Sequence, residues 1–157
     1  NYFTKYIPPS QGWVFWDKGQ RNFSLADGEF IYTSFDVASR AFNFSRAEMQ
    51  AEYRGKKFHP TTKPVALYKW LLSRYAKTGD KILDTHGGSG PICIACHDLG
   101  FDLTWMELDA DYYKAACRRY KEHAAQMVLF EPQEIRQKTN NNRFNLIYKQ
   151  TKEKLYD

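Results

Sequence analysis

The chain has 157 residues, of which 43% are hydrophobic and 26% charged, and its formal net charge is +5 at pH 7. This length fits one domain of ordinary size, and no apolar run approaches the roughly 20 residues of a membrane-spanning helix, so a membrane protein is not expected. The mild basic excess suits a surface that meets phosphate, although many soluble proteins are as basic.

The first third of the chain predicts two short strands. Residues 12–16 follow Pro8-Pro9 and form an apolar and aromatic run that indicates a buried strand, and the turn residues 17–19 end it. Residues 30–35 are β-branched and aromatic, which favours a second strand. Residues 38–57 are mixed and polar without a clear period, so we predict a loop there and leave a helical turn open.

The rest of the chain predicts alternating helices and strands. In chain order these are a helix over 64–75, a strand over 81–84, a helix over 91–99, a strand over 102–107, a helix to about 126 and a strand over 144–148. Pro64 suits the first helical turn, Gly79 and Gly100 suit helix ends, and Asp109 is a good N-cap. This alternation indicates a parallel sheet with helical crossovers.

The strongest local signal is the run D-T-H-G-G-S-G at residues 84–90, between a strand and a helix. Glycines allow a sharp turn and a close approach of a ligand to the backbone. Glu107 ends the next strand about 20 residues further on, where an acidic side chain can accept hydrogen bonds from both ribose hydroxyls. The loop has neither a Gly-Lys-Ser/Thr ending nor the G-x-G-x-x-G pattern, so a nucleoside without a pyrophosphate is the expected ligand.

Several runs together resemble the DNA adenine-N6 and cytosine-N4 methyltransferases. They are H-P-T-T-K-P-V-A-L at 59–67, G-D-K-I-L-D at 79–84, G-S-G at 88–90 and E-L-D-A-D-Y-Y at 107–113. More narrowly, the chain resembles the class in which the catalytic half precedes the cofactor half. The runs P-P-S-Q-G-W at 8–13 and W-D-K at 16–18 are similar to phage-type members. The resemblance covers roughly residues 1–123.

This resemblance implies an incomplete α/β, Rossmann-like S-adenosylmethionine-dependent methyltransferase fold. It implies one partial domain over 1–157, with the cofactor-binding core at 58–130 and a weakly predicted segment at 131–157. The implied reaction moves a methyl group from S-adenosylmethionine to an exocyclic amine of a DNA base, preferably adenine N6. The implied partner is DNA, with a homodimer left open, and the implied setting is the cytoplasm of a bacterium, with a restriction–modification or phage origin.

The resemblance also assigns cofactor-binding residues. They are Thr61, Thr62, Lys63, Pro64, Asp84, His86, Gly88, Ser89, Gly90, Glu107 and Leu108. Residues 84–90 would line the methionine and adenosine, Glu107 the ribose and Leu108 the adenine. Residues 61–64 would close the methionine end, with Lys63 as the cation for its carboxylate. Thr62 stands where Gln is usual, and residues 85–87 stand where Pro-Phe-x is usual, which removes an aromatic wall.

The catalytic motif of these enzymes, D/N/S-P-P-Y/F/W, does not occur in the chain. The only Pro-Pro lies in Ile7-Pro8-Pro9-Ser10, which has no side-chain acceptor before the prolines and no ring after them. We therefore predict a structural turn there, and a catalytic motif upstream of Asn1. The alternatives are a non-catalytic module that binds S-adenosylmethionine or DNA, a partner subunit, and an enzyme acting on a different nucleic acid.

No metal site and no disulfide framework are predicted. Cys93 and Cys96 form a C-x-x-C beside His97, but no second ligand pair follows, so we expect both in the core. His59 and His123 have no partner at ligand spacing. The chain opens with a polar stretch and without Met, so we expect no signal peptide and either a processed protein or a piece of a longer one, in a reducing compartment.

Overall fold

A computed structural model of the chain describes residues 5–22, 24–54, 61–128 and 145–148. The chain divides into two compact units, Asn1–Gly55 and Lys56–Asp157. The predicted cofactor-binding core, residues 58–130, falls within the second unit. Most of the predicted segment 131–157 lies outside the described residues.

The first unit is built on a three-stranded sheet. Its strands are β1 (Trp13–Asp17), β2 (Gly28–Tyr32) and β3 (Arg40–Asn43), followed by helix α1 (Arg46–Glu52). Strand β1 lies in the middle, antiparallel to β2 and parallel to β3. Strand β1 is the most apolar of the three and also the most buried, which fits side chains that are covered by the rest of the unit.

Aromatic residues cover both faces of β1. On one face Val14 and Trp16 are buried, and the Trp16 indole donates a hydrogen bond to the Phe44 carbonyl over 2.8 Å. On the other face Trp13 packs edge-on against Tyr32, and the rings of Phe15 and Phe30 lie 4.9 Å apart. These cross-strand pairs follow the antiparallel register of β1 and β2.

Two predictions for this unit need correction. Strand β2 runs from Gly28 to Tyr32 rather than over 30–35, and the backbone N–H of Thr33 donates to the Gly12 carbonyl in the same register. The prediction of a loop over 38–57 was wrong, since that segment contains β3 and α1. A signal for α1 was present in the sequence: Ser45 and Glu48 form a capping box that satisfies the first backbone N–H groups of the helix.

The second unit alternates helices and strands, as predicted. Its elements are α2 (Val65–Tyr75), β4 (Lys81–Asp84), α3 (Pro91–Leu99), β5 (Asp102–Glu107), α4 (Ala110–Val128) and β6 (Asn145–Tyr148). The strands form a parallel sheet in the order β4-β5-β6. Across the described ranges, no helix has both the length and the apolar character needed to cross a bilayer.

The helix ends match the signals predicted from the sequence, with two exceptions. Gly100 ends α3 in the left-handed conformation at φ 74°, and the Asp109 carboxylate accepts the backbone N–H groups of Asp111 and Tyr112, both at 2.9 Å. Pro64, in contrast, is the N-cap of α2 rather than a residue of its first turn. Helix α2 ends at Tyr75, so Gly79 lies in the turn that follows and not at the cap.

The core of the second unit lies where α3 packs on β5. Leu103 and Trp105 on β5 meet the buried face of α3, which includes Cys93 and Cys96. Both cysteines are therefore core residues, as their spacing predicted. Burial raises the pKa of the Cys96 thiol to about 12, and that of Cys93 still further, which keeps both thiols protonated and unreactive at neutral pH.

Candidate functional site

The glycine loop, residues 85–90, connects the end of β4 to the start of α3. Strands β4 and β5 are parallel and paired, with Asp84 opposite Trp105. Their carboxyl ends therefore meet at one edge of the sheet, and Asp84 and Glu107 end the two strands there. A crevice outside the carboxyl ends of neighbouring parallel strands is the usual ligand site of such a sheet.

The loop is tied to the end of β5 by its own backbone. The N–H of Gly87 donates to the Met106 carbonyl over 2.9 Å, and the N–H of Gly88 donates to Oε2 of Glu107 over 2.6 Å. Inside the loop, the N–H of Gly90 donates to the Gly87 carbonyl. The loop is thus held in one shape before any ligand arrives, which lowers the entropy cost of binding.

Gly87 is required by the tryptophan beneath it. A Cβ at this position would lie 1.4 Å from Nε1 of Trp105, well inside atomic contact. The Trp105 ring is fully buried and stacks on Tyr113 with 5.3 Å between the ring centres. In the described part of the chain, Trp105 Nε1 is the buried side-chain donor that lacks a hydrogen-bond partner.

Gly90 makes the second close approach. It precedes α3 in the left-handed conformation at φ 67°, and a Cβ there would lie 2.9 Å from Cβ of Ala116 on α4. Two features therefore favour glycine at this position: the left-handed backbone conformation and the close packing against α4.

Asp84 closes the turn that starts the loop. Its Oδ1 accepts the backbone N–H of His86 over 2.9 Å, while Thr85 and His86 themselves are exposed. Burial raises the pKa of the Asp84 carboxyl, against the hydrogen bond from His86, and the nearby charge of Glu107 adds to the rise. The two strand-end carboxylates are therefore electrostatically coupled.

Asp84→Asn is expected to raise the free energy of unfolding at neutral pH, because Asn keeps the acceptor for the His86 N–H and removes a penalised charge. The pKa of Asp84 in the folded protein lies above its unfolded value of about 3.9. The charged carboxylate therefore does not destabilise the fold below about pH 3.9, and its destabilising effect grows as the pH rises from there through the folded-state pKa. Urea unfolding of both proteins across this range measures it. A less stable Asn variant at neutral pH would contradict the assignment.

Glu107 uses both carboxylate oxygens to shape the site. Oε2 accepts from Gly88 and Oε1 accepts the backbone N–H of Asp109 over 2.8 Å. A carboxylate offers about four lone-pair sites, so two remain for a ligand. Leu108, the next residue, is 69% exposed and offers an apolar surface beside this carboxylate.

A buried contact joins the segment 61–64 to the glycine loop. The hydroxyls of Thr62 and Ser89 lie 3.1 Å apart, and both residues are buried. Pro64 is buried next to them, Lys63 is half-buried and Thr61 is exposed. The structure thus places this segment beside the glycine loop, 27 positions away in sequence.

Two residues at the site were not singled out from the sequence. Trp105 supports the loop from below, and Arg119 on α4 donates to the Ser89 carbonyl over 3.3 Å. The alternation of β5 could have indicated an inward Trp105, since it lies two positions before Glu107 and shares its face of the strand. No local signal identifies Arg119, because its partner is 30 residues away.

Comparison with known proteins gives consistent similarities. Residues 8–118 match the family model for DNA methylases, N6_N4_Mtase. A putative methylase of Escherichia coli, YubD, is 32% identical over 68 residues, which cover 43% of this chain and 30% of that protein. The type II methyltransferase M.HpaI of Haemophilus parainfluenzae is 32% identical over 66 residues, covering 42% of this chain and 21% of the enzyme. The chain therefore spans less than a third of the length of either relative.

A similar fold occurs among solved structures. The complex of M1.HpyAVI with S-adenosylmethionine superposes with a TM-score of 0.52 at 23% identity, over 68% of this chain and 60% of that one. At this identity the likeness concerns the fold alone, and it matches the α/β methyltransferase fold that the sequence predicted.

Proposed function

The chain belongs to the DNA methylase family N6_N4_Mtase, and from this premise we propose that it binds S-adenosylmethionine as the methyl donor for an exocyclic amine of a DNA base. The observation that carries the proposal is the bond of Glu107 to the glycine loop, which puts a carboxylate and a tight backbone turn at the ends of two adjacent parallel strands. DNA is the proposed partner and substrate, with adenine N6 preferred and cytosine N4 as the alternative.

The residues at the site fit a nucleoside sulfonium better than a phosphate ligand. Asp84 and Glu107 both end strands at the crevice, and the charge of Glu107 adds to the raised pKa of Asp84, whose main cause is burial. Two carboxylates repel a phosphate, whereas they suit ribose hydroxyls and a positively charged sulfonium. Within this proposal Glu107 accepts from the ribose, Leu108 lies beside the adenine, and Lys63 pairs with the methionine carboxylate.

The bound cofactor supplies an activated methyl group, and the protein supplies position. No covalent enzyme intermediate would be needed, since an exocyclic amine is itself a nucleophile. The rigid loop, residues 85–90, holds its shape through the Gly87 and Gly88 hydrogen bonds and so fixes one reactant. Acceptors for the amine protons belong to the catalytic motif, which is absent from residues 1–157.

Glu107→Ala is expected to weaken S-adenosylhomocysteine binding by about 1.5–3 kcal/mol, the usual value of hydrogen bonds to a charged group. Glu107 also anchors Gly88, so the loss could come through the loop instead. Calorimetric titration with a ligand that lacks a ribose hydroxyl separates the two causes. If Glu107 binds the ribose, the unchanged protein binds the ligand without the ribose hydroxyl more weakly than S-adenosylhomocysteine. The Ala variant then binds the two ligands with equal affinity. Equal affinity in a folded variant and in the unchanged protein would show that Glu107 does not contact the ligand.

A second candidate function is a non-catalytic module that binds the same cofactor. The observation in its favour is that the Pro-Pro run within residues 1–157, Ile7-Pro8-Pro9-Ser10, lacks both the acceptor and the ring of a D/N/S-P-P-Y/F/W motif. The two functions share the cofactor site and differ in methyl transfer, so an activity assay distinguishes them.

A further inference from the structure

A second polar cluster lies at the far end of α3, away from the glycine loop. His97 and Asp98 are in the last turn of α3, and His123 on α4 faces them. Since α3 rises 1.5 Å per residue, this cluster is about 10 Å along the helix from Gly90. It plays no part in the proposed cofactor site.

Three ligand-type atoms converge in this cluster. Oδ1 of Asp98 lies 3.2 Å from Nδ1 of His97 and 2.6 Å from Nε2 of His123. The two imidazole rings are nearly perpendicular, with 5.7 Å between their centres. The side chains are 10%, 12% and 27% exposed for His97, Asp98 and His123, so the cluster is shielded but reachable from solvent.

We propose that His97, Asp98 and His123 bind a divalent transition-metal ion of the zinc class. Their potential ligand atoms all lie within 4.8 Å of one another, which marks them as a group that could hold a metal among the residues described. A tetrahedral ion with bonds of 2.0–2.1 Å separates its ligand atoms by about 3.3 Å. The spacing of His97 and Asp98 already matches this value, whereas Nε2 of His123 lies closer to Asp98, so binding an ion requires the His123 side chain to rearrange.

The donor set suits this class of metal. Two imidazoles and one carboxylate are ligands of Zn²⁺, Co²⁺, Ni²⁺ and Fe²⁺, whereas Ca²⁺ and Mg²⁺ prefer oxygen. Water would complete the coordination, since three protein ligands leave a fourth position open. The ion replaces the hydrogen bonds that Asp98 receives from the rings and links α3 to α4.

Lys69 on α2 supports the carboxylate from the other side. Its ammonium lies 2.6 Å from Oδ2 of Asp98, which leaves Oδ1 directed at the two imidazoles. A partner on the second oxygen is how ligating carboxylates are commonly oriented. The positive charge of Lys69 also opposes a cation, so the site is expected to bind more weakly than one without a neighbouring lysine.

The test is Zn²⁺ titration of the full 157-residue chain, freed of any polyhistidine tag, with Co²⁺ absorption as a second readout of coordination. The informative variant is His123→Gln, whose amide can still donate to Asp98 but is a poor metal ligand. We expect it to fold with unchanged metal-free thermal stability and to bind Zn²⁺ at least about tenfold more weakly.

Two matched controls complete the experiment. His86→Ala removes a histidine outside the cluster and is expected to bind Zn²⁺ unchanged, whereas Lys69→Met removes no ligand but a positive charge that opposes the ion, so it is expected to retain Zn²⁺ binding with an altered affinity. Binding that is equal in the unchanged protein and in His123→Gln, or no binding by the unchanged protein, would overturn the proposal. If the unchanged protein binds no Zn²⁺, the cluster is a hydrogen-bonded contact between α3 and α4.

Discussion

Residues 1–157 alone are expected to transfer no detectable methyl groups to DNA, whereas the same chain extended upstream through a D-P-P-Y-type motif is expected to be active. An exocyclic amine is a poor nucleophile because its lone pair is delocalised into the ring. Acceptors for its protons localise that pair as the new bond forms, and a single such electrostatic group contributes about 10²–10³ in rate in other enzymes. Loss of the aromatic residue of the motif adds to this, since a flipped base then lacks its stacking partner.

The assay is transfer of labelled methyl groups from S-adenosylmethionine to unmethylated DNA by both proteins at equal concentration. The control is the affinity of both proteins for S-adenosylmethionine. Equal affinities would show that the short chain lacks methyl transfer rather than binding of the methyl donor. Robust transfer by the short chain would mean that Ile7-Pro8-Pro9-Ser10, or another group in residues 1–157, performs the catalytic work.

Gly87→Ala is expected to lower the free energy of unfolding by about 3 kcal/mol, at the upper end of the cost of overpacking a core. The added Cβ would overlap the indole of Trp105, which is fully buried and stacked on Tyr113. The loop cannot easily move aside, because the Gly87 N–H is bound to the Met106 carbonyl. Cofactor binding is expected to fall with stability, since the overlap can be relieved only by shifting the loop or the indole beneath it.

Gly79→Ala is the matched control for this change. Gly79 has φ 91° and nothing within 4 Å of an added Cβ, so only backbone strain of about 1–2 kcal/mol is expected there. Urea unfolding of both variants compares the two costs. A Gly87 variant as stable as the unchanged protein would show that Trp105 does not press on the loop.

The sequence predicted the second unit better than the first for a physical reason. Helices α3 and α4 carry boundaries in local chemistry, such as Gly100 at the end of α3 and the Asp109 cap at the start of α4. Strand β3 has no such signal: its residues Arg40–Asn43 are mostly exposed, and only pairing with β1 makes them a strand. A short, polar strand specified by a distant neighbour leaves little periodicity to detect.

In the candidate site too, local features could be predicted from the sequence and contacts between distant residues could not. The glycine loop and Glu107 could be identified because turn chemistry and strand ends are local features. The contacts that shape the site join distant residues: Thr62 meets Ser89, and Trp105 lies under Gly87. His123 has no partner at ligand spacing in the sequence, yet it lies 2.6 Å from Asp98, 25 positions away. Proximity of this kind follows from packing of helices, which spacing in a single sequence does not reveal.

Cofactor binding is the claim on which the account depends, and one calorimetric titration tests it most directly. The full chain is titrated separately with S-adenosylmethionine, NAD and ATP under identical conditions. We expect binding of S-adenosylmethionine and none of the two phosphate ligands, because Asp84 and Glu107 place two carboxylates at the crevice. Binding of NAD or ATP without any response to S-adenosylmethionine would contradict the account.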